Sequence, residues 1–308
     1  QTLDLELGML DRTADTTFFE LNLVNKAGHK FPSGYPARRA YISFLVETFE
    51  GDTLFHSGKV DDTYEVFGQD VPFEIHHQTI RAEEDVQIYE MVMADVTGAY
   101  TTILDRADHL LKDNRLVPEG FSTSHVTYDT TELAGQVLVD SDFNNANGIE
   151  GSGSDRLYFN VPMDNYHGEV SVKASIYYQS TPPKWMAEMF AESTPEIETF
   201  RTMFDAADQS PVLIQEEVLD VDGIMVGVDD EVSWASLISI DWQSDHQLAM
   251  TAREAHQLSI FDASGQLLNQ QNQSAGQSII QLPETAGIYF LHFQNQEGKR
   301  QVAKIACY

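Results

Sequence analysis

The chain has 308 residues, of which 42% are hydrophobic and 22% charged, a composition that argues against wholesale disorder and suffices for two domains with separate cores. Its 18 Lys and Arg stand against 49 Asp and Glu. The resulting net charge of −31 argues against nucleic acid or an anionic membrane as partner, since both demand a basic face. It fits an extracellular protein, a saline habitat, divalent-cation binding or a basic partner, and composition alone does not choose among these.

The N-terminal residues LDLELGML and FFELNLV read as strands joined by the polar turn DRTADTT. Asn25 to Ala40, NKAGHKFPSGYPARRA, follows as a turn-rich connection in which Pro32 and Pro36 stiffen the backbone while Gly28 and Gly34 permit positive φ. It places His29 on an ordered loop at a sheet edge. Residues 39 to 49 alternate as a strand, and Gly51-Asp52 turns the chain back into TLFHSGKV, which contains His56. An acidic stretch with Asp61, Asp62 and Glu65 leads to His76-His77 and then to VQIYEMVM, expected as a strand from its β-branched content. From 101 to 114 the apolar residues Ile103, Leu104, Ala107, Leu110 and Leu111 are spaced for one face of an amphipathic helix, ended by Pro118 and Gly120.

Residues 131 to 139 are expected as another strand, followed by the polar DSDFNNANGIEGSGSD and the strands RLYFNVPM and GEVSVKASIYYQS. Two helices come next, the second opening on Thr194 as N-cap with Pro195 in its first turn. An acidic, Gly-containing stretch from 211 to 234 reads as a linker, with one strand-like element. From 235 onward short strands alternate with Gln- and Asn-rich turns, the pattern of a small β-sandwich.

Several groupings are candidates for chemistry. Asp140, Asp142 and Asn144 have the D-x-D-x-N spacing that sets oxygen ligands around calcium; Asn145 stands where the sharp turn wants glycine and Gly151 where a bidentate acid is needed, for which Asp155 or Glu150 would compensate. The alternative is a solvated hairpin loop. Asp61, Asp62 and Glu65 offer paired carboxylates, and Trp185, Trp234, Trp242 and Tyr177-Tyr178 offer aromatic faces; surface charge and core packing are the commoner uses of each. There is no G-x-S-x-G elbow, H-E-x-x-H or phosphate-cradling glycine loop, so no enzyme activity is expected. Cys307 alone forms no intrachain disulfide, and without CxxCH the chain holds no covalent c-type haem. No apolar run approaches the roughly 20 residues of a membrane span, and QTLDLELGML lacks the features of a signal peptide, so the signal is expected either to have been removed or to belong to a longer precursor.

The blocks GHKFPSGYPARRA, HHQTI, VQIYEMVMADVTG, TTILDRADHLLKDNRLVPEGF, DSDF, GSDRLYFNV and ASIYYQS, in that order over about residues 18 to 210, resemble the haem-free C-terminal β domain of secreted bacterial multihaem c-type cytochromes. The resemblance implies a β-sandwich in 1–210 and haem axial ligands at His29 and His76, donated to a haem c on a neighbouring segment or chain. IFDASGQLL, LPETAGIYFLHF and GKRQVAKIA, within 235–308, resemble the type A C-terminal sorting domain of the type IX secretion system of Bacteroidetes, although ISIDWQSD replaces the usual proline-containing entry. That resemblance implies an immunoglobulin-like domain, the secretion machinery as a partner, and an extracellular or cell-surface location. The expectation is thus a mainly β chain of two sandwiches, the first with short helical insertions, acting as a structural or docking part of an electron-transfer assembly. The rival is an acidic surface module that binds a glycan or a protein and has no redox role.

Overall fold

The structure, a computed structural model, describes residues 2–69, 72–224, 238–244, 246–283, 285, 287–295 and 300–307. The chain divides into two compact units, 1–224 and 225–308, and each has its own apolar core. Both are β-sandwiches, as the alternation of the strands predicts.

The first unit opens with the hairpin β1 (Leu3–Arg12) and β2 (Thr16–Asn25). In β2 the parity is unbroken: Thr17, Phe19, Leu21, Leu23 and Asn25 are buried and the residues between them are half-exposed. Then come β3 (Arg39–Thr48), β4 (Thr53–Ser57), β5 (Thr79–Ile80), β6 (Ile88–Tyr89), β7 (Met91–Ala94), β8 (Tyr100–Thr101) and β9 (His109–Asp113). The series ends with β10 (Asn145–Ala146), β11 (Ile149–Glu150), β12 (Ser154–Pro162), β13 (Val170–Gln179) and β14 (Val212–Val221). One sheet has the order β1-β2-β12-β5; the facing sheet has the order β14-β13-β3-β4, with β6 paired to β3. Phe19, Leu21, Leu157 and Phe159 of the first sheet share one core with Ile42, Phe44, Val172 and Ile176 of the second. Phe44 stacks on Phe159 with ring centroids 3.8 Å apart and lies 5.6 Å from Phe19, so one aromatic side chain joins both layers.

A smaller sheet, β8-β7-β9, carries α1 (Pro183–Phe190) and α2 (Pro195–Ala206) at its side. Trp185 and Met186 of α1 pack with Met93 and Ala37. Thr194 caps α2 as expected, accepting the amide of Ile197 at 3.3 Å. No described helix is long and apolar enough to cross a membrane.

Three expectations need correction. Residues 101–114 form no amphipathic helix: Leu104–Arg106 is a single 3-10 turn, and β9 pairs antiparallel with β7. Against the apolar stripe, the extended form buries Lys112, Asp113 and Asn114 and gives each its partners. Residues 131–139 are not a strand but a bridge at Ala134 followed by a 3-10 turn, because Gly135 at φ +83° runs so close to β9 that a Cβ there would lie 3.0 Å from the Leu111 carbonyl oxygen. The linker expected from 211 begins later, since β14 pairs with β13 from Val170 to Tyr178, across one bulge, and belongs to the first unit. Residues 225–234 of that stretch, including Trp234, lie outside the described residues.

The second unit contains β15 (Ile238–Ser244), β16 (Gln247–Ala252), β17 (His256–Asp262), β18 (Leu267–Gln273), β19 (Gly276–Gln281), β20 (Gly287–Asn295) and β21 (Arg300–Cys307). They form sheets of order β15-β16-β19 and β18-β17-β20-β21, an immunoglobulin-like arrangement. Leu248, Met250 and Ile280 from one sheet share a core with Leu258, Ile260, Leu291 and Phe293 from the other.

Phe44→Ala leaves a cavity between the layers of the first unit and is expected to cost about 3–5 kcal/mol. Urea unfolding checks this as a lowered midpoint at unchanged slope.

Candidate functional site

The connection from 25 to 40 is built on Asn25, the last inward residue of β2. Its Nδ2 donates to the carbonyls of His29 and Leu116, both at 2.8 Å, and its Oδ1 accepts the amide of Ala27 at 2.9 Å. Phe31 bridges to Leu116, and Lys30 Nζ reaches the Asp113 carboxylate at 2.9 Å and the Glu132 carbonyl at 3.0 Å. The loop is therefore fixed on both sides of His29, whose own side chain is exposed. His29 Nδ1 lies 3.0 Å from the Lys30 carbonyl oxygen, a partner that only accepts, so Nδ1 carries the proton and Nε2 presents its lone pair outward.

His76 has the opposite fate. It follows the acidic loop and precedes β5, whose parallel pairing with β12 sets it beside Asp155. Its side chain is 1% exposed, with Nε2 2.9 Å from Asp140 Oδ2 and 4.0 Å from Asp155 Oδ2. Nδ1 lies 2.8 Å from Gln87 Nε2 and 3.0 Å from Asn114 Nδ2. Both amides are oriented by the backbone: Gln87 Oε1 accepts the amide of His77, and Asn114 accepts the amide of Glu90 while donating to the Ile88 carbonyl. Two N–H donors thus face Nδ1, which has to be unprotonated. Nε2 carries the proton and donates it to Asp140.

Asp155 completes the group. It lies on the inward parity of β12 and is fully buried, and its Oδ2 accepts the Tyr89 hydroxyl at 2.7 Å. Burial pushes the Asp155 carboxyl up to about 6, with the neighbouring Asp140 carboxylate acting in the same direction. Burial, and then Asp155 itself, raises the Tyr89 phenol well above its ordinary value and keeps it a donor. Asp155 Oδ1 has no hydrogen-bond partner.

Ligand atoms of His76, Asp140 and Asp155 lie within 4.8 Å of one another, the donor set of a divalent-metal site. The tautomer opposes that use, because a metal on Nε2 requires a proton on Nδ1, where Gln87 and Asn114 already point donors. The calcium set expected at Asp140, Asp142, Asn144 and Asp155 is not assembled either. Asn144 is buried with its amide spent on the Phe121 carbonyl and the Gly153 amide, at 3.0 and 3.1 Å. Asp140 and Asp142 are instead tied together by Gln78 Nε2, at 3.1 and 3.0 Å. Glu150 is bound to Ser122 and Thr123. As an axial ligand for an outside haem His76 also fails, since it is buried and both ring nitrogens are engaged.

The other candidates disperse. His56 is half-buried against Ser43, and His77 pairs with Glu74. Glu65 is no acid of a carboxylate pair: it is the counter-ion of the buried Arg39, 2.6 Å away, while Asp61 accepts three donors of its own turn. Trp185 is core and Tyr177 stacks on Tyr41; the side chain of Trp242 lies outside the described residues. Sequence reasoning missed Tyr89, Gln87 and Asn114. Polar residues on the inward parity of strands, the position Asn25 and Asp155 hold, were an available signal for the site, but Gln87 and Asn114 lie just outside β6 and β9 and carry no such signal.

No family model matches the chain, and no curated protein matches it. Among solved structures it is similar to a penta-heme cytochrome c552 from Thermochromatium tepidum, with 15% identity over 72% of this chain and 40% of that one and a TM-score of 0.43. The chain thus spans 40% of that cytochrome's length. It is also similar to an immunoglobulin-like DUF3244 family protein from Bacteroides vulgatus, with 13% identity over 24% of this chain and 89% of that one and a TM-score of 0.22. A fibronectin type III segment of chicken tenascin matches at 7% identity, over 98% and 99% of the two chains, with a TM-score of 0.21.

The raised carboxyl of Asp155 gives a signed pH dependence. Its folded value near 6 exceeds the unfolded 3.8, so its contribution to stability is complete below pH 3.8 and is lost as pH rises through 6. Asp155→Asn, which keeps the acceptor for Tyr89 and cannot ionise, is expected to match the parent near pH 4 and to exceed it by on the order of 3 kcal/mol above pH 7. Urea midpoints of both proteins across that range check this; a constant difference at every pH contradicts it.

Proposed function

We propose that the chain is an extracellular, non-catalytic docking part of a multihaem electron-transfer assembly, in which His29 completes the coordination of a haem iron carried by a neighbouring segment or chain. The observation that carries this reading is the state of His29: an exposed imidazole on a loop fixed at both sides, with Nδ1–H tied to a backbone carbonyl and Nε2 free to bind. A backbone-anchored Nδ1–H is how a protein fixes the tautomer and aim of a metal-binding imidazole. The ordered sequence blocks that resemble the β domain of multihaem cytochromes supply the context, and the missing CxxCH requires that the haem come from elsewhere. The second unit, with its seven described strands, takes the role of a type IX sorting domain, consistent with its terminal sequence, and an extracellular location follows from it.

The test uses a haem peptide with one axial histidine and an open sixth position. Titrating the 308-residue chain into it should give a low-spin spectrum. His29→Ala should need about tenfold more protein for the same change, and His76→Ala, if folded, no more than the parent. Equal curves for parent and His29→Ala would remove His29 from the proposal. Haem staining and intact mass of material from the source should further find a haem-positive partner or precursor.

A further inference from the structure

Beside α2 lies a surface cleft of about 510 Å³ with Tyr64, Pro183, Phe190 and Phe204 in its wall and Asp62, Asp205 and Asp208 among its lining. A second cleft of about 290 Å³ shares Phe204, Asp208 and Gln209 with it and adds Tyr178. Neither is lined by a lysine or arginine. The carboxylates are set where they are least favourable. The C-terminal end of α2 carries the negative pole of the helix, yet its last turn holds no basic residue; Asp205 occupies it and Asp208 follows just beyond. Asp62 comes from a separate loop, and none of the three forms an ion pair among the described residues. A cation in the cleft would answer the helix pole and three carboxylates together.

The walls are already held in place. Asp61 Oδ1 accepts the Thr63 amide at 2.8 Å and the Glu65 amide at 3.0 Å, holding Tyr64 at φ +64°, and Gln179 Nε2 donates to the Tyr64 carbonyl at 2.7 Å. Phe190 and Phe204 meet edge to face at 5.5 Å, and Gln209 Nε2 donates to the Phe204 carbonyl at 2.9 Å. The chain's own Arg201 lies over the Phe190 ring at 4.7 Å without lining the cleft, so the aromatic cluster already receives one guanidinium.

We propose that this cleft binds an arginine side chain presented by a basic segment of a partner polypeptide. Its guanidinium would stack on Tyr64 and Phe204 and donate to the carboxylates of Asp205, Asp208 and Asp62. A planar group with five donors suits aromatic walls and several acids better than an ammonium does, and it stays charged throughout. The net charge of −31 makes a basic polypeptide the complementary partner. The inference does not rest on the haem reading and stands or falls without it.

The probe is a fluorescent glycine–arginine peptide with three arginines, measured by anisotropy at roughly 150 mM salt, where unspecific attraction is screened. Asp205→Asn with Asp208→Asn, which keeps the acceptor for the Ser210 amide, should weaken binding about tenfold. Removing the same charge elsewhere, with Asp105→Asn and Asp129→Asn, should change it by less than about twofold. Tyr64→Asn, a residue that tolerates positive φ, should weaken binding about threefold, and the lysine analogue should bind more weakly than the arginine peptide. Equal losses in the two double variants, or no binding by the parent, overturn the proposal.

Discussion

The hydroxyl of Tyr89 and the carboxylate of Asp155 meet at 2.7 Å in the interior of the first unit, and much of that unit is arranged around the contact. Asp155 comes from β12 in one sheet and Tyr89 from β6 on the other, so a hydrogen bond joins the layers that Phe44, Phe159 and Phe19 join by packing. A fully buried carboxylate is costly unless its surroundings are polar, and the loops around it supply those surroundings. His76 is brought against it by the short parallel pairing of β5, Asp140 closes over His76, and Gln78 ties Asp140 to Asp142. Gln87 and Asn114 then fix the imidazole from behind. The irregular segments 76–78 and 140–144, and the residues flanking the short strands β6 and β9, are thus held less by regular pairing than by the demand to satisfy a few inward polar groups.

That arrangement explains which parts of the fold were legible. β2 and β12 keep strict parity, so that a shift of one residue would expose the whole apolar set, while β3 and β13 bury runs of consecutive residues; all four could be read because apolar burial dominates them. The helix at 101–114 could not, because the stripe of leucines resembles a helical face while the deciding residues are polar. Lys112 donates to the carbonyls of Glu74 and Ile88 at 2.7 and 2.9 Å, and Asp113 takes Lys30 and Arg115. Glu74, Ile88 and Lys30 lie 24 to 83 positions away in sequence from the residues they bond, and nothing local announces them; Arg115 alone of these partners is a near neighbour. The same blindness produced the calcium expectation. D-x-D-x-N spacing describes which oxygens are near one another along the chain, but Asn144 turns inward to cap the Phe121 carbonyl and leaves the set.

The acidity of the chain is spread in a similar way between use and surplus. Glu65, Glu188 and Asp113 are committed to named donors: Arg39, Arg106 and the Lys30–Arg115 pair. With 49 acids against 18 basic residues most carboxylates have no such partner, and what matters is where the unpaired ones concentrate. At the end of α2 they gather on aromatic walls at a helix pole of their own sign, a placement that folding alone would not favour. Scattered acids on an exposed face add solubility; gathered ones on a preformed cleft add selectivity.

His29 and His76 carry the same side chain, and the cytochrome-like blocks present them as equivalent ligands. Physical context separates them completely. His76 is held as a neutral Nε2–H donor with acceptor and donor partners at both nitrogens, so releasing it to bind iron would strip Asp140 of a hydrogen bond and expose a buried pair of carboxylates. His29 spends Nδ1 on a neighbouring carbonyl at no cost to the core and keeps Nε2 facing solvent. The residue that makes this possible is Asn25, an amide on the inward parity of β2 where the pattern calls for an apolar side chain. By taking the carbonyls of His29 and Leu116 into the interior it fixes the loop's backbone and leaves the imidazole outside. A buried polar side chain at a strand end thus fixes the loop that leaves the His29 imidazole exposed, and its placement follows from the alternation of a single strand.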